Sequence, residues 1–284
     1  MRKKLLLIML AVSTVPTIII TTFATVSTYR RLYQDTITIN TEGMNQSHGL
    51  LLRYTEDMKK IFYAMEFDPD YKQAVIDWSQ GEETYEDISS ISDTMVTNLN
   101  RNNTLLSLQL YIPDIGQNML VERAGVRIET TETADGIRFP REQAKQTNIF
   151  FKRQDGELFA IHNIHRFEDR ALIAQLNAGL RGQSLASIVS PIRIYGHESI
   201  LILNDEGEIL LSIQQEGLES RLLPTDLNQI GTQAGARRIG QVWYAEVGGE
   251  LVFSSFGAEE KLSVVKIVPK QDIIRSVLPT VYTG

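Results

Sequence analysis

No charged residue falls between positions 5 and 29, and basic residues bracket the run: Arg2, Lys3 and Lys4 before it, Arg30 and Arg31 after it. At ~1.5 Å per residue a helix of that length spans roughly 37 Å, enough for a ~30 Å hydrocarbon core with some tilt. The pattern predicts a transmembrane anchor over residues 1–30. Pro16 does not oppose this, because neighbouring groups satisfy the carbonyl that a proline frees in a membrane helix. A cleaved leader has an apolar core of only about 7 to 15 residues, so this run is long for one; the small residues at 24–27 offer a cleavage position as the minor alternative. The basic start points to a cytoplasmic N terminus and an exported remainder, with Arg30 and Arg31 counting the other way.

Beyond the anchor, Ile37, Asn40, Met44, Ser47, Leu51, Tyr54, Met58, Ile61 and Met65 recur at alternating spacings of three and four. This repeat predicts one stalk helix over 31–67 with a narrow stripe, widened by Leu50 and Phe62 and ended by Asp68-Pro69. From Leu51 to Met65 the stripe reads as packing for the domain that follows. Nearer the membrane, Asn40, Gly43, Ser47 and Gly49 are poor core residues, and small or polar positions there predict a loosely packed homodimer seam through the stalk helix.

Two shorter helical patterns follow at 71–79 and 84–101, the second with Ile88, Ile91, Met95 and Leu99 on one face. The period then drops to two. Over 104–112, Leu106, Leu108, Leu110 and Ile112 point one way while Leu105, Ser107, Gln109 and Tyr111 point the other. Further strands are predicted at 118–122, 150–153, 157–165 and 171–177, with a turn at Asp155-Gly156 and a short helix at 140–146. A helical bridge, 183–194, leads to a second unit with the same grammar: strands at 199–203 and 208–212 around Asn204-Asp205-Glu206-Gly207, a polar stretch at 224–236, then strands at 241–247, 250–256 and 261–268. A closing helix at 271–278 runs toward what reads as the start of a second membrane helix. The fold class is α+β, a membrane-anchored helix carrying two antiparallel-sheet modules: anchor 1–30, stalk 31–67, distal module 68–181, membrane-proximal module 182–270 and closing segment 271–284.

Composition narrows the function. The whole chain has 43% hydrophobic and 22% charged residues even with the apolar run counted, the make-up of a folded soluble protein beyond the anchor, and a formal charge of −7 argues against nucleic acid as a partner. Cysteine is absent, which removes disulfide frameworks and CxxC chemistry.

The order of these parts resembles the exported sensing region of bacterial membrane receptors, the double Cache arrangement, in which two PAS-like modules are strung along one long helix between two membrane helices. The tether and stalk, with their basic start, apolar run and interrupting proline, are similar to those of Gram-positive sensor histidine kinases. The likeness covers essentially the whole chain. Its strongest pieces are Ala171-Leu-Ile-Ala-Gln-Leu-Asn177, Ser199-Ile-Leu-Ile-Leu-Asn-Asp-Glu-Gly-Glu-Ile-Leu-Leu-Ser212 and Leu262-Ser-Val-Val-Lys-Ile-Val-Pro269, none of them a catalytic signature. The resemblance implies a distal module that holds a small ligand, a membrane-proximal module that is often empty and a cytoplasmic output domain beyond residue 284. One departure matters. Amino-acid-binding members carry an Asp on the last distal strand to hold the ligand ammonium, whereas 171–177 contains no acid, so an amino-acid ligand is not supported.

Candidate chemistry is sparse. His162 and His165 are three apart on a strand and point to opposite faces, so they cannot chelate one ion together, and they read as structural or solvated. Gly248-Gly249 reads as a hairpin turn rather than part of a nucleotide-cyclising loop, Asp205-Glu206-Gly207 lacks calcium-loop spacing, and no nucleophile elbow, P-loop, zinc-protease or kinase signature is present. Neither a cofactor nor catalysis is expected. A ligand site emerges by subtraction. The apolar face of Leu106, Leu108, Leu110 and Ile112 is expected to pack on the long helix, which leaves the opposite, mixed face. Sorting neighbouring strands the same way collects Gln109, Tyr111, Asn163, His165, Gln175 and Asn177, with Arg123 and Arg127 on an adjacent segment, convergent polar groups of the kind a small-molecule pocket requires. The expected partners are a small ligand or an extracellular binding protein, the membrane and a second copy of the chain. A tethered enzyme without a recognisable motif, or an adhesion module, is the alternative.

Overall fold

In a computed structural model the chain is described over residues 2–130, 149–166, 169–214, 230–233, 235–257 and 262–273. Its organising element is one continuous helix, α1 (Arg2–Glu66), with Pro16 inside it. Val12, Val15, Ile18, Ile19, Ile20 and Phe23 are all exposed on α1, a surface that water disfavours and lipid accepts. Among the described residues this is the one helix long and apolar enough to cross a membrane. Beyond it, all nine residues of the 3.5-residue stripe from Ile37 to Met65 are buried.

The distal half of α1 is joined by α2 (Pro69–Gln80) and α3 (Tyr85–Arg101). Local chemistry fixes their ends. Asp68 accepts from the backbone of Asp70 and Tyr71 with Pro69 in the first turn, Gly81 closes α2 at φ 73°, and Thr84 with Asp87 forms a reciprocal capping box on α3. These helices cover one face of a six-stranded antiparallel sheet, β1 (Leu105–Ile112), β2 (Gln117–Glu122), β3 (Gly125–Thr130), β4 (Phe150–Gln154), β5 (Glu157–His165) and β6 (Leu172–Leu180), in the order β3-β2-β1-β6-β5-β4. Leu108, Leu110 and Ile112 join the core with Trp78, Met95, Phe62 and Met65. Leu106 does not. A register irregularity between Leu105 and Ser107 breaks the alternation, and Leu106 is 42% exposed.

A short helix α4 (Gly182–Val189) and a 3-10 turn (Ser190–Ile192) lead into the second sheet. Its strands are β7 (Ser199–Asn204), β8 (Ile209–Ile213), β9 (Arg237–Ile239), β10 (Val242–Val247), β11 (Glu250–Gly257) and β12 (Leu262–Pro269), in the order β8-β7-β12-β11-β10-β9. Both sheets place the first strand between its hairpin partner and the last strand, so the two modules share a core topology. The Gly248-Gly249 turn has both residues at positive φ, 61° and 87°, as a two-residue hairpin requires. Asn204 ties the modules together: its Nδ2 donates to the Phe151 carbonyl on β4 at 3.1 Å, while its Oδ1 accepts from the backbone of Glu206 and Glu208.

The membrane-proximal half of the stripe is used differently from the expectation. Ser47 Oγ donates to the Ile188 carbonyl at 3.2 Å, a Cβ on Gly43 would lie 3.2 Å from Ile192, and Asn40 is buried, so these residues admit the bridge of the same chain. Small side chains here allow close intramolecular approach. Pairing of two copies along the stalk would have to use residues outside the buried stripe, such as Ile39 and Leu50, which are exposed on its flank. Cysteine cross-links in membranes are therefore expected from Ile39→Cys and Leu50→Cys; links from Asn40→Cys and Met44→Cys instead would restore the buried stripe as a dimer seam.

Strands β3 and β9 are two edge elements that the sequence pattern did not predict, and both are largely exposed. Strand β6 runs three residues past the expected end, to Leu180. The bridge stops being α-helical at Val189, just before Pro191. The predicted helix at 140–146 and the closing segment from 274 onward lie outside the described residues.

Candidate functional site

The antiparallel register brings the distal sheet's outer face into rows. Glu129, Asn118, Tyr111, Gln175 and Asn163 stand opposite one another across β3, β2, β1, β6 and β5. One step along, Arg127, Leu120, Gln109, Asn177, Ile161 and Phe150 form the next row. Directly opposed residues share a face, so these side chains form one patch. Gln109, Asn118, Asn163, Gln175 and Asn177 are all buried in it, five carboxamides where the inner face carries aliphatics. Phe150, Phe159 and Ile161 form a separate apolar cluster at its β4–β5 side.

Two hydrogen bonds organise the amides. Gln175 Nε2 donates to Asn163 Oδ1 at 2.9 Å, and Asn177 Nδ2 donates to Gln109 Oε1 at 3.2 Å. Four buried polar atoms remain without a partner: both of Asn118, Gln175 Oε1 and Asn177 Oδ1. Leaving such a group unpaired costs about 1 to 3 kcal/mol, so a fold that keeps several together has placed an unmet demand on one surface.

Five of the eight residues singled out from sequence therefore lie together: Gln109, Tyr111, Asn163, Gln175 and Asn177. His165 is half-buried at the end of β5, beyond a register irregularity, with Nδ1 3.2 Å from the Asn163 carbonyl. Arg127 shares the face but sits on edge strand β3, exposed and paired with Glu122 at 3.0 Å. Arg123 does not belong. It occupies the β2–β3 turn, exposed, with Nη2 3.4 Å from Asn103 Oδ1. Asn118 was missed, although its position on a predicted strand opposite Tyr111 was open to the same face-sorting.

His162 faces the other way. It is buried against α1, its Nε2 donating to Glu66 Oε2 at 2.9 Å and its ring lying 5.5 Å from those of Phe62 and Tyr63. Strand β5 thus carries Ile161 and Asn163 on the amide face and His162 on the end of α1. Among the described residues no three His, Cys, Asp or Glu side chains come together as metal ligands.

Two other places differ from this patch in their chemistry. Among the described residues the outer face of the proximal sheet carries Leu201, Leu203, Ala245, Val252, Val265 and Ile267, with Ile230 packed against them, and serines as its buried polar groups. A cavity of about 230 Å³ between the modules is lined by Leu106, Leu158, Leu180, Leu210 and Leu211 with Arg153 and Glu157 exposed beside it. Among the described residues neither collects unpaired buried polar side-chain atoms as the distal face does.

The architecture is α+β, one long N-terminal helix carrying two antiparallel sheets, and solved sensory domains share it. The sensory domain of the Campylobacter jejuni chemoreceptor Tlp3 with isoleucine bound superposes with a TM-score of 0.57 at 13% identity, covering 87% of this chain and 98% of that one. The extracellular domain of the putative histidine kinase vpHK1S-Z8 gives 0.60 at 11% identity, covering 86% and 98%. A domain of a putative sensory box/GGDEF family protein from Vibrio parahaemolyticus gives 0.54 at 10%, covering 87% and 99%. At such identities the likeness is one of fold. No protein-family description and no curated protein matches the sequence.

Proposed function

We propose that this chain is the extracytoplasmic sensing region of a membrane signal-transduction receptor, anchored by α1 and binding a small ligand on the outer face of its distal sheet. The observation that carries the reading is the buried amide patch of Gln109, Asn118, Asn163, Gln175 and Asn177 with four unpartnered polar atoms, against a proximal face that is aliphatic. The sensory-domain fold supports it, as does the exposed apolar run of α1 ahead of the folded modules. The output is read as a histidine kinase of the Gram-positive type, reached through a second membrane helix beyond the closing segment. In this reading the ligand biases two arrangements of sheet and helix, and only a difference in its affinity for the two moves the equilibrium.

The test is a metabolite screen by thermal unfolding of the chain in nanodiscs. A ligand at a hundred times its dissociation constant adds ~2.7 kcal/mol to the stability of the state it binds. Tyr111→Ala and Asn177→Ala are expected to weaken such a ligand roughly 5- to 150-fold, the equivalent of ~1 to 3 kcal/mol, while leaving the ligand-free protein folded. A ligand that binds both variants at wild-type affinity would place sensing elsewhere.

A further inference from the structure

We infer that the β10–β11 turn and the residues that end β12 rest in the lipid headgroup layer, a second contact between the proximal module and the bilayer besides α1 itself. This rests on the reading of α1 as a membrane anchor and adds the surface with which the folded region meets the membrane.

Height along α1 decides it. The uncharged run spans roughly 37 Å, against ~30 Å of hydrocarbon and about 40 to 45 Å with the headgroups, so its end at Tyr29 falls within the headgroup layer. Tyrosine is favoured at that depth, and Tyr29 stacks at 6.2 Å on Tyr33, one turn above it, with Arg30 and Arg31 exposed beside them. Two ties set β10 alongside the helix. At its far end a Cβ on Gly240 would lie 3.5 Å from Asn45 Nδ2. At its near end Glu246 pairs with Lys270, and both lie within electrostatic reach of the Tyr33 phenol. From Asn45 back to Tyr33 the helix descends about 18 Å at ~1.5 Å per residue, while from Gly240 to Glu246 the strand covers about 20 Å at ~3.3 Å per residue. The two paths match, so β10 runs toward the membrane. Past Glu246, Gly248 lies about 7 Å further on, and Tyr29 lies about 6 Å below Tyr33. The turn is therefore level with the end of the uncharged run. Glu250 stands opposite Pro269 across β11 and β12, which brings Lys270 and Gln271 to the same rim. Chemistry limits the depth. Gly248 and Gly249 are exposed and bring no side chain, and the flanking carboxylates of Glu246 and Glu250 are groups that hydrocarbon rejects and hydrated headgroups accept.

The chain has no native cysteine, so single labelling sites can be introduced. A fluorophore is attached at Arg30→Cys, Gly248→Cys, Gln271→Cys or Gln241→Cys of the chain in phosphatidylcholine nanodiscs, with lipids carrying a nitroxide on the headgroup or deep in the acyl chain as quenchers. Gly248 has open space for a side chain but sits at φ 61°, so exposed Gln271 reads the same rim without that strain. The headgroup nitroxide is expected to quench Arg30→Cys, Gly248→Cys and Gln271→Cys at least twofold and to leave Gln241→Cys, about 24 Å above Tyr29, unchanged. Quenching at Arg30→Cys with none at Gly248→Cys overturns the contact of the turn, and none at Gln271→Cys overturns that of the end of β12; in both cases the anchor stands. No quenching at Arg30→Cys overturns the anchor reading itself. Equal quenching at Gln241→Cys and the rim overturns the upright placement of β10, and stronger quenching of the rim by the acyl-chain nitroxide overturns the headgroup depth.

Discussion

Glu198→Ala is expected to lower the unfolding midpoint by roughly 6 to 20 °C, the equivalent of about 3 to 5 kcal/mol. Glu198 and Lys266 are both wholly inaccessible to solvent, and their charged groups lie 2.9 Å apart. Lys266 Nζ also donates to the Ile192 carbonyl, Glu198 Oε1 accepts the Ile194 N–H, and the Tyr195 ring lies 5.9 Å from the ammonium. The Tyr195 hydroxyl then donates to Thr36 Oγ1 on α1 at 3.3 Å. One ion pair thus pins the segment between bridge and β7 to the centre of the proximal sheet and, through Tyr195, to the stalk. Removing the carboxylate leaves an ammonium buried without a counter-charge, whereas removing both charges does not. Glu198→Leu with Lys266→Met is accordingly expected to be neutral or to stabilise by about 1 to 4 kcal/mol.

The pH dependence separates this cause from simple loss of packing. Burial already holds Lys266 below the usual lysine range, opposed by Glu198. Without Glu198 it falls further. The folded state then binds fewer protons than the unfolded chain, so stability rises as pH climbs toward the ordinary lysine value. The deficit of Glu198→Ala should therefore shrink between pH 7 and pH 9.5. An equal deficit at both would mean that the ammonium is not what is left exposed to an apolar core.

This pair was invisible in the sequence, and the reason is physical. Lys266 sits in a strand of Val264, Val265, Ile267 and Val268, where a lone lysine reads as a solvent-facing residue, and its partner is 68 positions away across a crossover. Periodicity reports which residues share a face and says nothing of which faces meet. The helix stripe was legible because nine residues at a 3.5 repeat repeat one instruction, but the same pattern cannot name the partner surface; Asn40, Gly43 and Ser47 suited a second helix as well as they suit the bridge. The amide face was legible because alternation sorts Gln109 from Leu108 and Asn177 from Leu176. The edge of that face was not, because Arg123 lies in a turn, where a period of two carries no information, and because β3 carries too few apolar residues to announce itself as a strand.

Insertion of a single alanine after Gly49 should detach the proximal module from α1. Each added residue turns a helix by about 100° and lengthens it by ~1.5 Å. On one side of the insertion Ile37 and Met44 face the proximal sheet, and on the other Leu51, Tyr54, Met58, Ile61, Phe62 and Met65 face the distal core. Both sets are in register now because α1 is continuous, and Asn204 with the short bridge prevents the modules from turning to follow it. The distal side buries more of the helix, so it is expected to keep its register and the proximal side to lose it. Exposing Ile37 and Met44 alone costs about 3 to 6 kcal/mol, and the uncovered faces of Leu251, Phe253 and Val264 add to that. A lower midpoint, binding of a hydrophobic dye and an unchanged Trp78 environment are the expected readouts, against an alanine placed between Glu82 and Glu83 as a loop control. Equal behaviour of the two insertions would mean that register along α1 is not what joins the modules. The same register bears on the proposed function: the helix whose Phe62 and Glu66 pack against His162 under the distal sheet continues unbroken into the exposed apolar run, so a shift of a distal strand would have one continuous element along which to travel.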